Sequence, residues 1–384
     1  MSLRVNPRVA RLEPFLAMEV MERAFAMERA GRRVLHLEIG EPGFPPPPQA
    51  VDACVAALRA GETRYTDSRG LANLREAIAA EHARRSGTPV DAGQVLVTSG
   101  TSPGMLLVFS LLVAPGDQVV LGTPHYPCYP NFIRFCGGEP LLVPTGPSDD
   151  YQLDARAVRE AAGPRTRALV VASPANPTGA IQELETLKSL GELGLPIVSD
   201  EIYHGLTYDG AEARSPLGLA GDVFVLDGFS KRYAMTGFRL GYVVAPAEAL
   251  RPLQVMQQNL FISANRFVQH AGAAALAHGE PMVRAMREAL DARRTLLLEG
   301  LRDLGFGIPA TPRGAFYVFA DARRFGADSM GLAFDLLERA GVACTPGIDF
   351  GKAGEGWLRF SYATSEAVLR EALQRLGEAL AARR

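Results

Sequence analysis

Three lysines, Lys188, Lys231 and Lys352, stand against 37 arginines among the chain's 40 basic residues. Codon preference explains the ratio, but its consequence is useful. Arginine serves wherever only charge is needed, whereas lysine alone can shed its proton and form an imine. Lys231 lies in Asp227-Gly228-Phe229-Ser230-Lys231, a loop after an apolar run, and Arg239 opens the next run eight residues later. Two cations facing one loop repel unless an anion or a covalent change relieves them. An aldehyde with a phosphate tail relieves both, because the lysine becomes an imine and the arginine's planar fork takes the phosphate. A solvated surface loop is the plainer reading of a G-x-S-K stretch taken alone.

Other stretches offer chemistry of the same kind, each with a plainer alternative. Asp200 ends the apolar run of Pro196-Ile197-Val198-Ser199-Asp200-Glu201-Ile202-Tyr203. A carboxylate there needs a positive partner, or caps a helix. Ser173-Pro174-Ala175-Asn176-Pro177-Thr178-Gly179 is a turn by composition. Thr98-Ser99-Gly100-Thr101-Ser102-Pro103-Gly104 precedes an apolar helix. It reads as a phosphate cradle or as an ordinary Ser/Thr cap. In Trp357-Leu358-Arg359-Phe360-Ser361-Tyr362, Arg359 alternates with apolar residues, so its guanidinium needs an anion from a ligand or from an internal carboxylate.

The spacing G-F-S-K-x-x-A-M-x-G-x-R-L-G from Gly228 to Gly241 resembles the pyridoxal-phosphate attachment signature of the class I/II aminotransferases, the fold-type-I family. Seven pieces in the family's order, from Gly40 to Arg359, extend the resemblance over nearly the whole chain. It implies a pyridoxal 5'-phosphate enzyme that moves an amino group from an L-amino acid to a 2-oxo acid through an imine on Lys231. That lysine would carry the proton from the substrate's Cα to the cofactor. The matching aspartate, Asp200, pairs with the pyridine nitrogen and keeps the ring an electron sink. Tyr203 and Asn176 hydrogen-bond the ring's phenolic oxygen. Gly100, Thr101 and Ser102 hold the phosphate with Arg239, and Tyr126 stacks on the ring. Arg359, with the Gly40 amide and Asn176, binds the substrate carboxylate. Tyr65, in the Y-x-x-x-x-G segment Tyr65 to Gly70, reaches the phosphate of a neighbouring subunit, which implies a homodimer. One departure stands out. Many members carry serine three residues before the lysine, where this chain has Gly228; Ser230 is the candidate substitute. Carbon–sulfur β-lyases of the same fold share every motif quoted, so that activity is the alternative.

These residues require a scaffold that brings strand ends together. Short Val/Leu-rich runs (Val95–Thr98, Gln118–Gly122, Leu141–Pro144, Ala168–Ala172, Ile197–Asp200, Val223–Asp227, Leu240–Ala245) alternate with helical stretches. The expected fold is α/β, a mostly parallel seven-stranded sheet with helices on both faces, plus a smaller α+β domain. In such sheets ligands bind beyond the carboxyl ends of the strands. The expected division is an arm at 1–45, a large cofactor-binding domain at 46–281 and a small domain at 282–384. Helices are expected over Leu12–Ala30, Pro48–Ala60, Pro281–Leu304 and Ser365–Arg383, and strands over Val34–Ile39, Phe316–Ala320 and Trp357–Tyr362. With 384 residues, two domains are a natural size.

A net charge of −2 offers no drive for binding nucleic acid. No run of 18 apolar residues suits a membrane span, and no secretory leader is legible. The four dispersed cysteines signal neither a zinc site nor a disulfide framework, so no metal and a cytoplasmic location are expected. A nicotinamide-binding G-x-G-x-x-G is missing; Gly305-Phe306-Gly307 lacks the third glycine. For the substrate side chain, Phe15, Phe261, Phe316 and Tyr317 are candidates for an apolar pocket. Arg266 and Arg313 are the candidates for a second carboxylate site. A monocarboxylic, apolar donor is the weaker inference from these.

Overall fold

In the computed structural model, which describes residues 5–381, seven strands form one sheet. Their spatial order is Val95–Thr98, Gly241–Val244, Val223–Gly228, Ile197–Asp200, Thr166–Ala172, Gln118–Thr123, Glu139–Pro144. Every pairing is parallel except those made by Gly241–Val244, which runs against both neighbours. All seven expected runs are strands. The inner strands are continuous apolar runs because both faces are buried, whereas the edge strand Glu139–Pro144 is largely half-buried or exposed. Val95, Val97, Leu169, Val171, Val223 and Val225 pack on one side, and Leu96, Ala168, Val170, Phe224 and Leu226 on the other.

The single reversed strand decides where the chemistry gathers. Parallel strands deliver Thr98, Thr123, Ala172, Asp200 and Gly228 to one edge of the sheet. The antiparallel strand brings its leading end, and so Arg239, to that same edge.

The helix Glu280–Leu304 buries Val283, Met286, Leu290, Leu297 and Leu301 at helical spacing and stops at Gly305, whose φ is +98°. Beyond it, Thr345–Pro346, Trp357–Ser361 and Tyr317–Asp321 form an antiparallel sheet. The N-terminal segment joins this part of the molecule. Leu35–His36 pairs in parallel with Val342–Ala343, and the Ser361 amide donates to Leu37 O at 2.7 Å. Gly40, Arg359 and the lysine loop are thereby brought together from distant parts of the chain. The expected strand over Val34–Ile39 shrinks to two paired residues because Glu38 to Gly40 turns toward the site. The first helix begins at Leu16 rather than Leu12, and the last spans Glu366–Ala381, with Arg383 outside the described residues.

Candidate active site

Lys231 is half-buried at the carboxyl edge, its Nζ donating to the Gly40 carbonyl. Burial pushes its amine down to about 8; Arg359 and Arg239 act in the same direction, against Glu41 and Asp200. The two-cation conflict inferred from the loop is therefore present. Arg239 adopts a left-handed conformation, φ +52°, and donates to Thr236 O at 3.0 Å. It makes no ion pair among the described residues.

Its guanidinium lies against the start of the helix Thr101–Leu112. Gly100 has φ +98°, which disfavours any other residue, and a Cβ there would come 2.6 Å from Arg239 Nη2 and displace the guanidinium. No side chain caps that helix. Among the described residues the Thr101 and Ser102 hydroxyls make no hydrogen bond, which argues against the ordinary-cap reading. Uncapped amides, two free hydroxyls and a guanidinium make an anion cradle. Ser230 is buried, and its hydroxyl makes no hydrogen bond among the described residues. The departure at Gly228 has a steric cause: a Cβ there would lie 2.9 Å from Leu240 O and 3.0 Å from Gly241 Cα.

Asp200 ends its strand 9% exposed. Oδ2 accepts from the Tyr129 hydroxyl at 2.6 Å and Oδ1 from the Ile202 amide at 3.2 Å. Burial raises its pKa against the pull of those two bonds, and it has no ion pair among the described residues. The alternative of a helix cap fails, because no helix follows it. Tyr129 was not singled out in the sequence. The cue was available, since Tyr129 lies one helical turn beyond Tyr126 at the start of the helix Cys128–Phe135; the two rings pack edge-on with centroids 5.3 Å apart.

Arg359 is 2% exposed. It donates to Asn176 Oδ1 at 2.9 Å, Thr345 Oγ1 at 3.0 Å and Glu38 O, while its Nε has no partner. Tyr317 and Phe350 flank the guanidinium, 4.3 and 5.1 Å from its carbon to their ring centres. The internal salt bridge that would have explained this residue does not exist among the described residues. Since arginine only donates, Asn176 must turn its oxygen toward it, which leaves the Asn176 NH₂ as a donor on the other side. The Asn176–Pro177 bond is cis. Tyr203 shares a 2.7 Å hydrogen bond with Tyr317, and Tyr317 in turn crowds Gly40, whose built Cβ would clash with its hydroxyl. Tyr126 packs edge-on to Phe15 at 5.9 Å. Tyr65 is 80% exposed and lies apart from the rest.

The side-chain pocket candidates divide. Phe316 is core, and Phe261 packs beside the sheet. Arg266 and Arg313 are ion-paired with Glu62 and Glu183.

The chain matches the family model for aminotransferase class I and II over residues 32–376. The chain belongs to this family. The aspartate/prephenate aminotransferase of Thermus thermophilus is 39% identical over 384 residues, covering 98% of each chain. A (5-formylfuran-3-yl)methyl phosphate transaminase of Methanocaldococcus jannaschii is 37% identical, over 98% of this chain and 99% of that protein. The structure of the T. thermophilus aspartate aminotransferase with maleate superposes with a TM-score of 0.94 at 38% identity, over 98% of this chain and 100% of that one. The protein is thus an aminotransferase, and its cofactor is pyridoxal phosphate.

The site fits that cofactor. It holds a depressed amine, a buried aspartate without a cation, and an arginine without an anion beside free helix amides. Bound there, pyridoxal phosphate supplies an electron sink for the pair left when the substrate's Cα–H bond breaks. Among the described residues no helix is long and apolar enough to cross a membrane, and no cluster of His, Cys, Asp or Glu could hold a metal.

Proposed function

We propose that the aminotransferase transfers an amino group from an apolar monocarboxylic L-amino acid to a 2-oxo acid, with Lys231 as the cofactor-bearing amine and proton carrier. The observation that carries this is the set of ionic groups left without ion partners among the described residues: Lys231, Arg239 and Asp200 at the carboxyl edge of the large sheet and Arg359 facing it from the antiparallel sheet. Each has the sign that its assigned ligand requires. Asp200 takes the pyridine nitrogen, held by Tyr129. Arg239, Gly100, Thr101, Ser102 and Ser230 take the phosphate. Tyr126 backs the ring, and Tyr203 with the free Asn176 NH₂ faces its phenolic oxygen. Arg359 and the Gly40 amide fix the substrate carboxylate. Lys231, its amine pushed down to about 8 and so neutral in a large fraction of molecules near that pH, takes the Cα proton and returns it on the cofactor side.

The apolar donor is supported by what surrounds Arg359. Tyr317 and Phe350 face it, Phe15 lies across Tyr126, and both arginines considered for a second carboxylate are already paired.

A homodimer is part of the same reading. The Tyr65 side chain makes no hydrogen bond among the described residues, while Leu260 and Ile262, at the end of the helix Ala247–Leu260 and just beyond it, are exposed on a segment tied to it through a Thr66 amide–Ser263 hydroxyl contact of 3.4 Å. A second copy covering that patch would receive Tyr65 at its phosphate. The division at residues 45 and 281 and a cytoplasmic location also belong to this proposal. The N-terminal strand pairing supports the former, and four unpaired cysteines support the latter.

The test is borohydride reduction of the cofactor-loaded protein followed by peptide mass mapping. The cofactor mass is expected on the Lys231 peptide. Lys231→Ala should lose both that mass and the formation of 2-oxo acid. Full transamination by that variant would end the proposal. A panel of donors against pyruvate and 2-oxoglutarate reads the side-chain preference.

A further inference from the structure

The helix Leu16–Arg29 begins without a cap of its own. Phe15 occupies the cap position and has no side-chain acceptor to offer. A carboxylate 333 residues away supplies it. Asp349 Oδ1 accepts from the Leu16 amide at 2.9 Å, and Oδ2 from the Ala17 amide at 3.2 Å. Asp349 sits in the short turn Gly347–Phe350, between the strands that carry Thr345 and Arg359. It makes no ion pair among the described residues.

That turn touches each wall of the amino-acid pocket. Phe350 lies against the Arg359 guanidinium at 5.1 Å and accepts the His125 amide at 3.1 Å through its carbonyl. His125 precedes Tyr126, and Tyr126 packs edge-on to Phe15. On the other side of Phe15 the chain is tied to a second body. The Glu13 amide donates to Asn131 Oδ1 at 3.0 Å, and Asn131 Nδ2 donates back to Glu13 O at 2.9 Å. Phe15 is therefore strung between two anchors, one on the helix Cys128–Phe135 and one beside Arg359. An ion pair of Glu13 with Arg134 at 3.1 Å reinforces the first, and Val20, Ala24 and Met27 pack the helix body on Leu337 and Ala343, while Asp349 ties the helix's first turn to the arginine's own turn.

We propose that Asp349 is a positioning residue: by capping the first helix from the arginine's own turn, it sets the distance between Phe15 and Arg359 and so the donor side chains that the enzyme accepts. This rests on the apolar-donor reading above. Asp349 itself touches no substrate. The carboxylate group of the donor is held at Arg359, and its side chain must pass toward Phe15. If the helix start drifts, the ring no longer closes on that side chain. Donors with little side chain lose less than bulky ones.

The test uses the cofactor-loaded enzyme and two donors, L-leucine and L-alanine, with pyruvate or 2-oxoglutarate as acceptor. It compares wild type with Asp349→Ala, Asp349→Asn, Phe15→Ala and the double alanine variant. The ratio of kcat/KM for leucine over alanine should fall about tenfold in Asp349→Ala and in Phe15→Ala, the lower end of what apolar side-chain contacts discriminate. The double variant should fall no further, since both act through one contact. Asp349→Asn keeps one acceptor and should lie between.

Hydrogen exchange of the peptide containing Leu16 and Ala17 supplies a readout apart from activity. It should quicken in Asp349→Ala and hold in Phe15→Ala. A leucine-to-alanine ratio within twofold of wild type in Asp349→Ala overturns the proposal, whether exchange quickens or not. If Asp349→Ala does not fold, Asp349→Asn carries the same comparison. A wild-type enzyme that prefers aspartate to leucine removes the apolar-donor reading alone, because the positioning role is still judged by whether the ratio moves.

Discussion

Arg359→Met separates a ligand-binding arginine from a structural one, because the two roles predict opposite outcomes for stability. Methionine keeps most of the apolar stem and removes the charge. A structural buried ion pair that loses one partner costs about 3–5 kcal/mol, since the other charge stays behind unpaired. Arg359 has no such partner. What it loses is three hydrogen bonds from a charged donor, to Asn176, Thr345 and the Glu38 carbonyl, each worth about 1.5–3 kcal/mol. Against that loss stands relief of a guanidinium held 2% exposed without an anion. These terms are of similar size, so stability should change by no more than about 2 kcal/mol in either direction. Activity should change far more. Two charge-assisted bonds to a carboxylate, at about 1.5–3 kcal/mol each, amount to roughly a hundredfold to ten-thousandfold in kcat/KM. Urea unfolding and steady-state kinetics on one preparation check both. A variant destabilised by more than about 4 kcal/mol while retaining kcat/KM within tenfold would refute the assignment, because that is the signature of a structural ion pair.

Three further outcomes follow from the same geometry. With its amine pushed down to about 8 rather than the usual 10.5, Lys231 is neutral in roughly one molecule in ten at pH 7, against about one in 3,000 for an ordinary lysine. The neutral form is the nucleophile, so cofactor capture by the cofactor-free protein should quicken about tenfold per pH unit below 8 and level off above it; stopped-flow absorbance reads this, and a rate still climbing steeply at pH 10 contradicts the shift. Tyr129→Phe removes the 2.6 Å bond that favours ionised Asp200 and leaves a buried carboxylate oxygen short of a donor. Cofactor affinity should weaken about tenfold, equivalent to about 1.4 kcal/mol, and an affinity within twofold of wild type shows that Tyr129 does not support Asp200. For the dimer, Tyr65→Ala and Lys231→Ala each spoil a different half of every site. Mixed and allowed to reassort, half the dimers should carry one whole site of two, giving roughly a quarter of wild-type turnover. Turnover no higher than the two variants measured apart argues against a shared site.

The sheet was legible because burial on both faces writes itself as uninterrupted apolar runs, and all seven were found from Val95 to Val244. Their order in space was not, because crossovers leave no trace in composition. The antiparallel sense of Gly241–Val244, which brings Arg239 to the working edge, could not be read from a run that looks like its neighbours. Helix ends erred where a local breaker and a tertiary bond act together: Pro14 disfavours helix at Glu13, and Asp349 accepts the Leu16 amide that starts the helix. Among the site residues, Lys231, Arg239, Asp200 and Asn176 lie at the carboxyl edge of the large sheet and Arg359 reaches Asn176 from the antiparallel sheet. Residues that act through another residue escaped notice. Tyr129 and Asp349 have ordinary identities in ordinary stretches, and only contacts 71 and more than 300 residues away give them meaning.

A sceptic can answer that unpaired buried charge is simply poor packing. The neighbouring residue shows otherwise. Glu201 follows Asp200 directly and is equally enclosed, yet it lies 3.5 Å from the Arg85 guanidinium and 3.3 Å from His204, and it accepts from the Ser199 hydroxyl at 3.1 Å and from Ser215. Arg85 also meets Asp227 at 3.0 Å, and Tyr242 donates to the same carboxylate at 2.9 Å. Behind the strand end, the fold supplies buried charge with partners from several elements. In front of it, within one residue, the chain leaves Asp200 with a tyrosine and an amide only. The same contrast separates Arg232, braced by Glu81 and Glu280, from Arg239 seven residues on, which has no carboxylate partner among the described residues. A chain able to neutralise one member of each pair and not the other has not failed at packing. The unpaired members share one edge, and each costs stability unless a ligand of opposite charge arrives.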